Sequence, residues 1–331
     1  MNAFEYAAAT SVRQALSLLG KKWGATEVLA GGTDLIALMK DYVVTPSRLV
    51  NLKRIAGLDA IRYSAKTGLS VGALATLNDV ARHPLVTRHY PTLSLAIADA
   101  ASPQIRNRAT LGGNLCQRPR CWYFRNGYGL LARDAKGKSL VLSGDNRYHA
   151  ILGNGGPAYF VSPSTVAPTL IAMGASVRLA GTKGVRSVAL GELFVTPTAD
   201  GQREHSLQPD EILVEVRIPP PAGAGVFYYE VRQKHAFDWP LATATVAVTL
   251  QKGAVHTATV MLGHVAPVPW RSREAEAALA GRKITAAVAA AAADAAVKPA
   301  RSLGQNQYKI SVARTALSRA ILLAGGLDPL A

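Results

Sequence analysis

Apolar residues recur along this chain at two different periods, and the changes between them mark its elements. Residues 10–20, TSVRQALSLLG, place Val12, Ala15, Leu16 and Leu19 on one helical face, with Thr10 or Ser11 as cap and Gly20 as stop. EVLAGGTDLIALMK then reads as a short buried strand, a double-glycine turn and a helix opening at Thr33 or Asp34. The runs RLVNL (48–52) and LSVGA (69–73) predict short strands, and Pro91 opens a helix reaching about Ala100. From Ser102, SPQIRNRATLGGNLCQRPRCWYFRNG holds neither period and predicts a long loop region around a second double glycine. Strands return at ASVRLAG and EILVEVRIPPP, after which Pro219 to Pro221, Gly223 and Gly225 mark a domain boundary. ATVAVTLQKGAVHTATVMLGHV alternates as two strands turning at Lys252-Gly253. Helices follow over 272–280 and 284–297, the second stopped by Pro299, and a third begins near Tyr308. Its face carries Ile310, Ala313, Leu317, Ala320, Ile321 and Ala324, and Gly325-Gly326 close it. A small sheet backed by three helices makes a separate C-terminal domain.

Length and composition narrow the picture. With 331 residues, 49% hydrophobic and 18% charged, the chain is a folded protein of two or more domains. Its start, MNAFEYAAATS, has Glu5 and no basic n-region, so no signal peptide is expected. The longest charge-free stretch, 148–177, is broken by Pro157, Pro163 and Pro168, so no membrane span is expected either. Two cysteines exclude a disulfide scaffold and point to the cytoplasm, with co-export to the periplasm on a partner subunit as the alternative. The net charge of +16 concentrates between Ser102 and His149, where nine Lys or Arg face two Asp. A phosphate-bearing ligand, a nucleic acid, an acidic partner or a plain solvated surface would each account for it.

Three short constellations carry candidate chemistry. Ala30-Gly31-Gly32-Thr33-Asp34, before Leu35, lets the backbone turn sharply and approach a ligand, and the following helix start offers unpaired N–H groups to a phosphate. Thr110-Leu111-Gly112-Gly113-Asn114 repeats the device about eighty residues later, and two such loops suit the pyrophosphate of FAD better than the single phosphate of FMN. Either loop alone is also an ordinary tight turn. Cys116-Gln-Arg-Pro-Arg-Cys121 supplies two thiols, too few for a zinc site or an iron–sulfur cluster. The aromatic and basic run Arg120 to Arg125 could stack bases, but no nucleic-acid module surrounds it. No Ser-His-Asp, HExxH or paired-carboxylate pattern occurs, so no catalytic residue is assigned.

AGGTDLIALMK, ASPQIRNRATLGGNL and DEILVEVRIP, followed by the Ala-rich C-terminal part, together resemble the FAD-binding medium subunit of the xanthine dehydrogenase family of molybdenum hydroxylases. LCQRPRCWYFRNG, with NRYHAILGN after it, resembles the flavin subunit of the bacterial aldehyde oxidoreductase branch. The resemblance covers essentially the whole chain. It implies an α+β architecture: an FAD-binding domain of the vanillyl-alcohol-oxidase/PCMH type over 1–222, with subdomains about 1–55 and 56–222. A C-terminal domain over 223–331 follows, a three-stranded antiparallel sheet on a three-helix bundle. It implies FAD as cofactor, with Ala30, Gly31, Gly32, Thr33, Asp34, Leu35, Thr110, Gly112, Gly113 and Asn114 around the pyrophosphate and ribityl chain, and Leu213 packing the flavin. The implied partners are a molybdopterin-binding large subunit and a small subunit with [2Fe–2S] clusters, which feed electrons through the flavin to an external acceptor. A self-standing flavoenzyme of the same fold is the alternative, and a nucleic-acid-binding protein a remoter one. Thr165 stands where an aspartate is common, and Glu230 where some members have lysine. That branch holds a [4Fe–4S] cluster on four cysteines of an inserted loop. Here Cys116 and Cys121 remain but no further cysteine does, so no cluster is expected on this chain.

Overall fold

The computed structural model describes residues 1–221, 223–234 and 237–330. Three sheets organise them. The first is parallel, with Arg48–Asn51 between Glu5–Ala8 and Thr26–Leu29. The second is antiparallel, in the order Ile61–Ser64, Gly68–Gly72, Glu211–Ile218, Ser176–Gly181, Gly184–Ala189. The third, also antiparallel, runs Trp270–Arg271, Ala254–Gly263, Pro240–Gln251, Gly225–Arg232. It has three long strands as expected, and a fourth edge strand of two residues that the sequence pattern was too short to show. Ala222, where the sequence places the domain boundary, lies outside the described residues.

The C-terminal sheet is covered on both faces. Helix Tyr308–Ala324 lays Ala313, Leu317, Ala320 and Ile321 on one face, each fully buried with Val246 and Leu262 in one core. Ala-rich helix Ala286–Val297, capped by Thr285, packs beside it through Ala289, Ala292, Ala293 and Ala296, whose small side chains let the helices approach closely. The opposite face meets helix Val166–Ala172, where the Thr169 and Thr245 hydroxyls pair at 2.9 Å inside the interface. Pro168 lies in that helix's first turn, which needs no N–H from it, so the proline does not interrupt the helix.

The stretch from Ser102 departs from the expected loop. It forms three short helices, Pro103–Arg106, Leu111–Leu115 and Trp122–Arg125. Each is a turn or little more, below the length at which periodicity shows. Further along, three asparagines sew residues 141–154 to the C-terminal domain. Asn146 donates to the Val141 and Leu303 carbonyls, Asn154 to those of Ala150 and Arg301, and Asn306 to those of His149 and Ala150. Lys309, 1% exposed, reaches the same seam and donates to the carbonyls of Tyr148 (3.1 Å) and His264 (2.8 Å).

His149 and His264 are both 3% exposed in this seam. Burial, with Lys309 close by, lowers their imidazoles to about 4 and about 3. Their folded values lie below the unfolded 6.5, so the unfolded chain binds protons that the folded chain refuses. Stability should therefore fall as pH drops from 6.5 toward 5, with a slope approaching about 2.7 kcal/mol per pH unit for the two sites. Urea unfolding at several pH values measures it. His149→Asn should reduce the slope by about half, and an unchanged slope would refute the assignment.

Candidate functional site

Strand Thr26–Leu29 delivers Ala30 and Gly31 to a sharp turn. A Cβ on Gly31 would lie 2.0 Å from the Arg108 carbonyl oxygen, so only glycine lets this turn rest on the backbone at 108–109. Gly32 follows with φ +77, and helix Leu35–Lys40 begins beyond Asp34. Among the described residues, the N–H groups of Gly32, Thr33, Asp34 and Leu35 have no protein acceptor. Successive free N–H groups beside a positive-φ residue form a concave nest suited to an anion.

The second double glycine behaves differently. The Leu111 and Gly112 N–H groups donate to the Ala75 and Ala73 carbonyls at 2.9 Å, and that of Gly113 to Thr110 Oγ1 at 3.1 Å. All three donors are thus engaged within the protein. Gly112 packs so tightly that a Cβ would sit 2.8 Å from that of Ala73. The expected pair of equivalent N–H cradles becomes one open nest facing a closely packed wall, because Thr110 caps the second loop into a short helix.

The two loops face each other across one cleft of about 190 Å³. Ala30, Gly31, Gly32, Thr33, Asp34, Leu35, Thr110, Gly112, Gly113 and Leu213 all line it. Asn114 does not; its Oδ1 accepts the Ser164 hydroxyl at 2.7 Å. Thr165 also stands back, with Oγ1 at 3.3 Å from His264 Nε2. Glu230 lies on Gly225–Arg232, hydrogen-bonded by the Tyr228 hydroxyl and paired with Arg232, its carboxyl pushed up by burial.

Asp34 is held by three donors from one segment. Its Oδ2 accepts the Arg118 N–H at 2.8 Å, and its Oδ1 takes Arg125 Nη2 at 2.7 Å and Arg120 Nη2 at 3.2 Å. Arg133 and Arg147 also pair with acidic residues, Asp200 and Asp145. Much of the basic run therefore closes on the chain itself rather than forming a free cationic surface. Sequence reasoning missed a further group at the cleft: Arg118 pairs with buried Glu204, and Arg203 bonds Glu27 at 2.8 Å while stacking 4.3 Å from the Trp23 ring. Glu27 and Arg203 are far apart in sequence, and no local pattern signals their meeting.

Cys116 opens on the cleft but is otherwise enclosed; burial, with Glu204 nearby, pushes its thiol up to about 12. Burial lowers His205, whose Nε2–H donates to the Leu115 carbonyl at 2.9 Å. Cys116 is therefore not a nucleophile near neutral pH, and His205 is tied to the backbone of the second glycine loop. Cys121 points elsewhere, its Sγ 3.2 Å from His149 Nε2. Among the described residues no three His, Cys, Asp or Glu side chains gather as metal ligands. The cleft thus presents open N–H donors beside apolar walls, an arrangement suited to an anionic ligand.

Residues 2–221 match the family described as the FAD binding domain in molybdopterin dehydrogenase, and 227–324 the CO dehydrogenase flavoprotein C-terminal domain. The aldehyde oxidoreductase FAD-binding subunit PaoB of Escherichia coli (strain K12) is 32% identical over 320 residues, covering 96% of this chain and 97% of that one. The carbon monoxide dehydrogenase medium chain of Hydrogenophaga pseudoflava is 31% identical over 324 residues, covering 96% of each. Among solved structures, carbon monoxide dehydrogenase from Hydrogenophaga pseudoflava, in a form lacking the Mo-pyranopterin moiety of its cofactor, superimposes with a TM-score of 0.76 at 30% identity over 98% of both chains. Quinoline 2-oxidoreductase from Pseudomonas putida 86 gives 0.76 at 27% identity, again over 98% of both.

Removing the Asp34 carboxylate leaves Arg120 and Arg125 without their shared acceptor. Asp34→Ala should destabilise the chain by about 3 kcal/mol, the low end for breaking a buried pair because Arg120 remains 30% exposed. It should also open the segment to trypsin at Arg118, Arg120 and Arg125. Limited proteolysis reads this directly, and unchanged cleavage would show that the carboxylate does not hold the segment.

Proposed function

This chain belongs to the family of FAD-binding subunits of molybdopterin dehydrogenases, and from that premise we propose that it holds one FAD in the cleft between the two glycine loops and relays electrons within a three-subunit oxidoreductase. The observation that carries this is the run of free N–H groups at Gly32 to Leu35, opening on a cleft with apolar walls. Ala30 to Leu35 would take the pyrophosphate, Gly31 and Gly32 by letting the backbone come close and Thr33 by its hydroxyl. Thr110, Gly112 and Gly113 form the facing wall, Asn114 supports it through Ser164, and Leu213 packs the flavin ring. Asp34 acts by fixing the loops rather than by touching the ligand. When bound, FAD exchanges two electrons with one partner and single electrons with another, which is what a relay requires.

The partners of this reading are a molybdopterin-binding large subunit, where substrate would be oxidised, and a small subunit with [2Fe–2S] clusters. The external acceptor receives the electrons last. A free-standing flavoenzyme would need an acid or base at the cleft, and Cys116 and His205 do not supply one. The domain division proposed is 1–222, with subdomains about 1–55 and 56–222, and 223–331. Among the described residues no helix is long and apolar enough to cross a membrane. The proposed compartment is the cytoplasm, on the low cysteine count.

Purification from the native host tests the whole reading: the chain should come with two further subunits and with FAD rather than FMN. Gly32→Val forces a branched side chain onto φ +77, and Gly113→Val drives a Cβ to within 2.9 Å of Thr110 Oγ1. Each should lose its flavin absorbance, and full flavin content in both would remove the cofactor from this cleft.

We further propose that this chain carries no [4Fe–4S] cluster. A cubane takes four anionic ligands, ordinarily thiolates, and the two thiols here face different surroundings. Iron and acid-labile sulfide measured on the separated subunit should be absent beside stoichiometric flavin; about four irons per chain would overturn the statement.

A further inference from the structure

The cleft between the glycine loops has two lips drawn from different parts of the chain. Trp23 and Glu27, ahead of the first glycine turn, line one; Arg203, His205 and Leu207, ahead of strand Glu211–Ile218, line the other. The second lip is the return arm of a hairpin. Phe194 and His205 pair across its base, the Val195 N–H donates to the Glu204 carbonyl at 3.1 Å, and its tip over 198–202 is exposed throughout.

An exposed tip contributes no apolar burial, so polar contacts decide whether the hairpin lies down or lifts. Those at the tip are local or weak. Gln202 Oε1 accepts the Thr198 N–H at 2.8 Å, and the Arg133–Asp200 pair is open to solvent. Firmer contacts come from three consecutive residues. Glu204 pairs with Arg118, and His205 donates to the Leu115 carbonyl at 2.9 Å, both beside the second glycine loop. Arg203 instead crosses the cleft. Its Nη2 donates to Glu27 Oε1 at 2.8 Å, and its guanidinium lies 4.3 Å from the centre of the Trp23 ring. Among the described residues this is the hairpin's one hydrogen bond to residues 1–55.

The chemistry of the crossing fits a latch better than a ligand contact. The Arg203 and Glu27 side chains are 14% and 15% exposed, a partly dry setting in which each charge depends on the other. A carboxylate repels a pyrophosphate, so Glu27 is accounted for by Arg203 and not by the ligand. Three residue steps of about 3.3 Å separate Glu27 from Ala30 and put the crossing roughly 10 Å from the first glycine turn, within the length of a dinucleotide seated there.

We propose that the 194–205 hairpin is a gate on this cleft, latched by Arg203 on Glu27 and Trp23, and that opening the latch limits the entry and exit of FAD. The inference rests on the flavin reading above. With the latch closed the two lips are joined, and FAD laid on the open N–H groups of Gly32 to Leu35 is retained by the crossing as well as by its own contacts. A latch slows exchange in both directions, whereas a ligand contact slows departure alone.

The test measures flavin content of the full chain first, then follows release of bound FAD and its rebinding to the flavin-free chain by flavin fluorescence. In the double variant Glu27→Gln/Arg203→Met, which leaves no unpaired charge beside the anionic cofactor, both rates should rise about tenfold and Kd should stay within about threefold of the original. Trp23→Leu, which removes the stack and keeps both charges, should raise both rates by a smaller factor. Faster release at an unchanged association rate would make Arg203 a ligand contact and overturn the proposal, as would unchanged rates in the double variant. A chain that neither contains nor rebinds FAD fails the cofactor reading instead. The latch is then read by trypsin, which should nick after Arg203 several-fold faster in Glu27→Gln than in the unaltered chain; equal nicking would overturn the latch as well.

Discussion

The carboxylate of Asp34 is the point on which the cleft between the two glycine loops depends. It sits where the first glycine turn passes into a helix, and it accepts from Arg118, Arg120 and Arg125 together. A half-buried carboxylate is costly unless its lone pairs are filled, and this one is filled by a single segment. The same contact fixes the turn and anchors the 116–125 loop. It also leaves the backbone N–H groups of the turn free, because the side chain does not fold back to cap the helix that follows. An aspartate that capped its own helix would have consumed a donor that the cleft presents instead.

Close backbone contact supplies the second constraint. Gly31 rests on the Arg108 carbonyl and Gly112 on Ala73, so both glycine loops are pressed against the body of the fold rather than hanging over it. Rigid placement matters for a relay, since the protein's contribution to a flavin's chemistry is position and electrostatic surroundings. The paired arginines serve the same end. Arg118 with Glu204, and Arg203 with Glu27, bring positive charge to the cleft without leaving it uncompensated when no anion is present.

Three asparagines and Lys309 bind the 141–154 segment to the C-terminal domain, mostly through backbone carbonyls. Amide donors tie down irregular backbone whose carbonyls no sheet or helix would otherwise satisfy. The segment begun by Cys116 thus stays ordered with only two thiols. Trp122, edge-on to Tyr148 and His149, packs within it.

Much of this was readable in the residues. Apolar periodicity set the long elements, among them helix Tyr308–Ala324 and the strands meeting at Lys252-Gly253, because a buried face needs its pattern whatever surrounds it. The glycine pairs, with their flanking Thr and Asp, marked the cleft-lining residues, since few other types allow such turns. Only the tertiary structure decided what each did there. Free N–H groups at Gly32 and engaged ones at Leu111 and Gly112 differ by which carbonyls lie opposite, and Ala73 and Ala75 come from a distant strand end. The roles of Asp34, Glu27 and Arg203 rest on partners about 80 to 180 residues away, and a second cavity exists only where the 120–149 segment meets the C-terminal sheet. Local sequence carries conformational preference over a few residues; which charge neutralises which, and which donor is left open, is set when distant segments pack together.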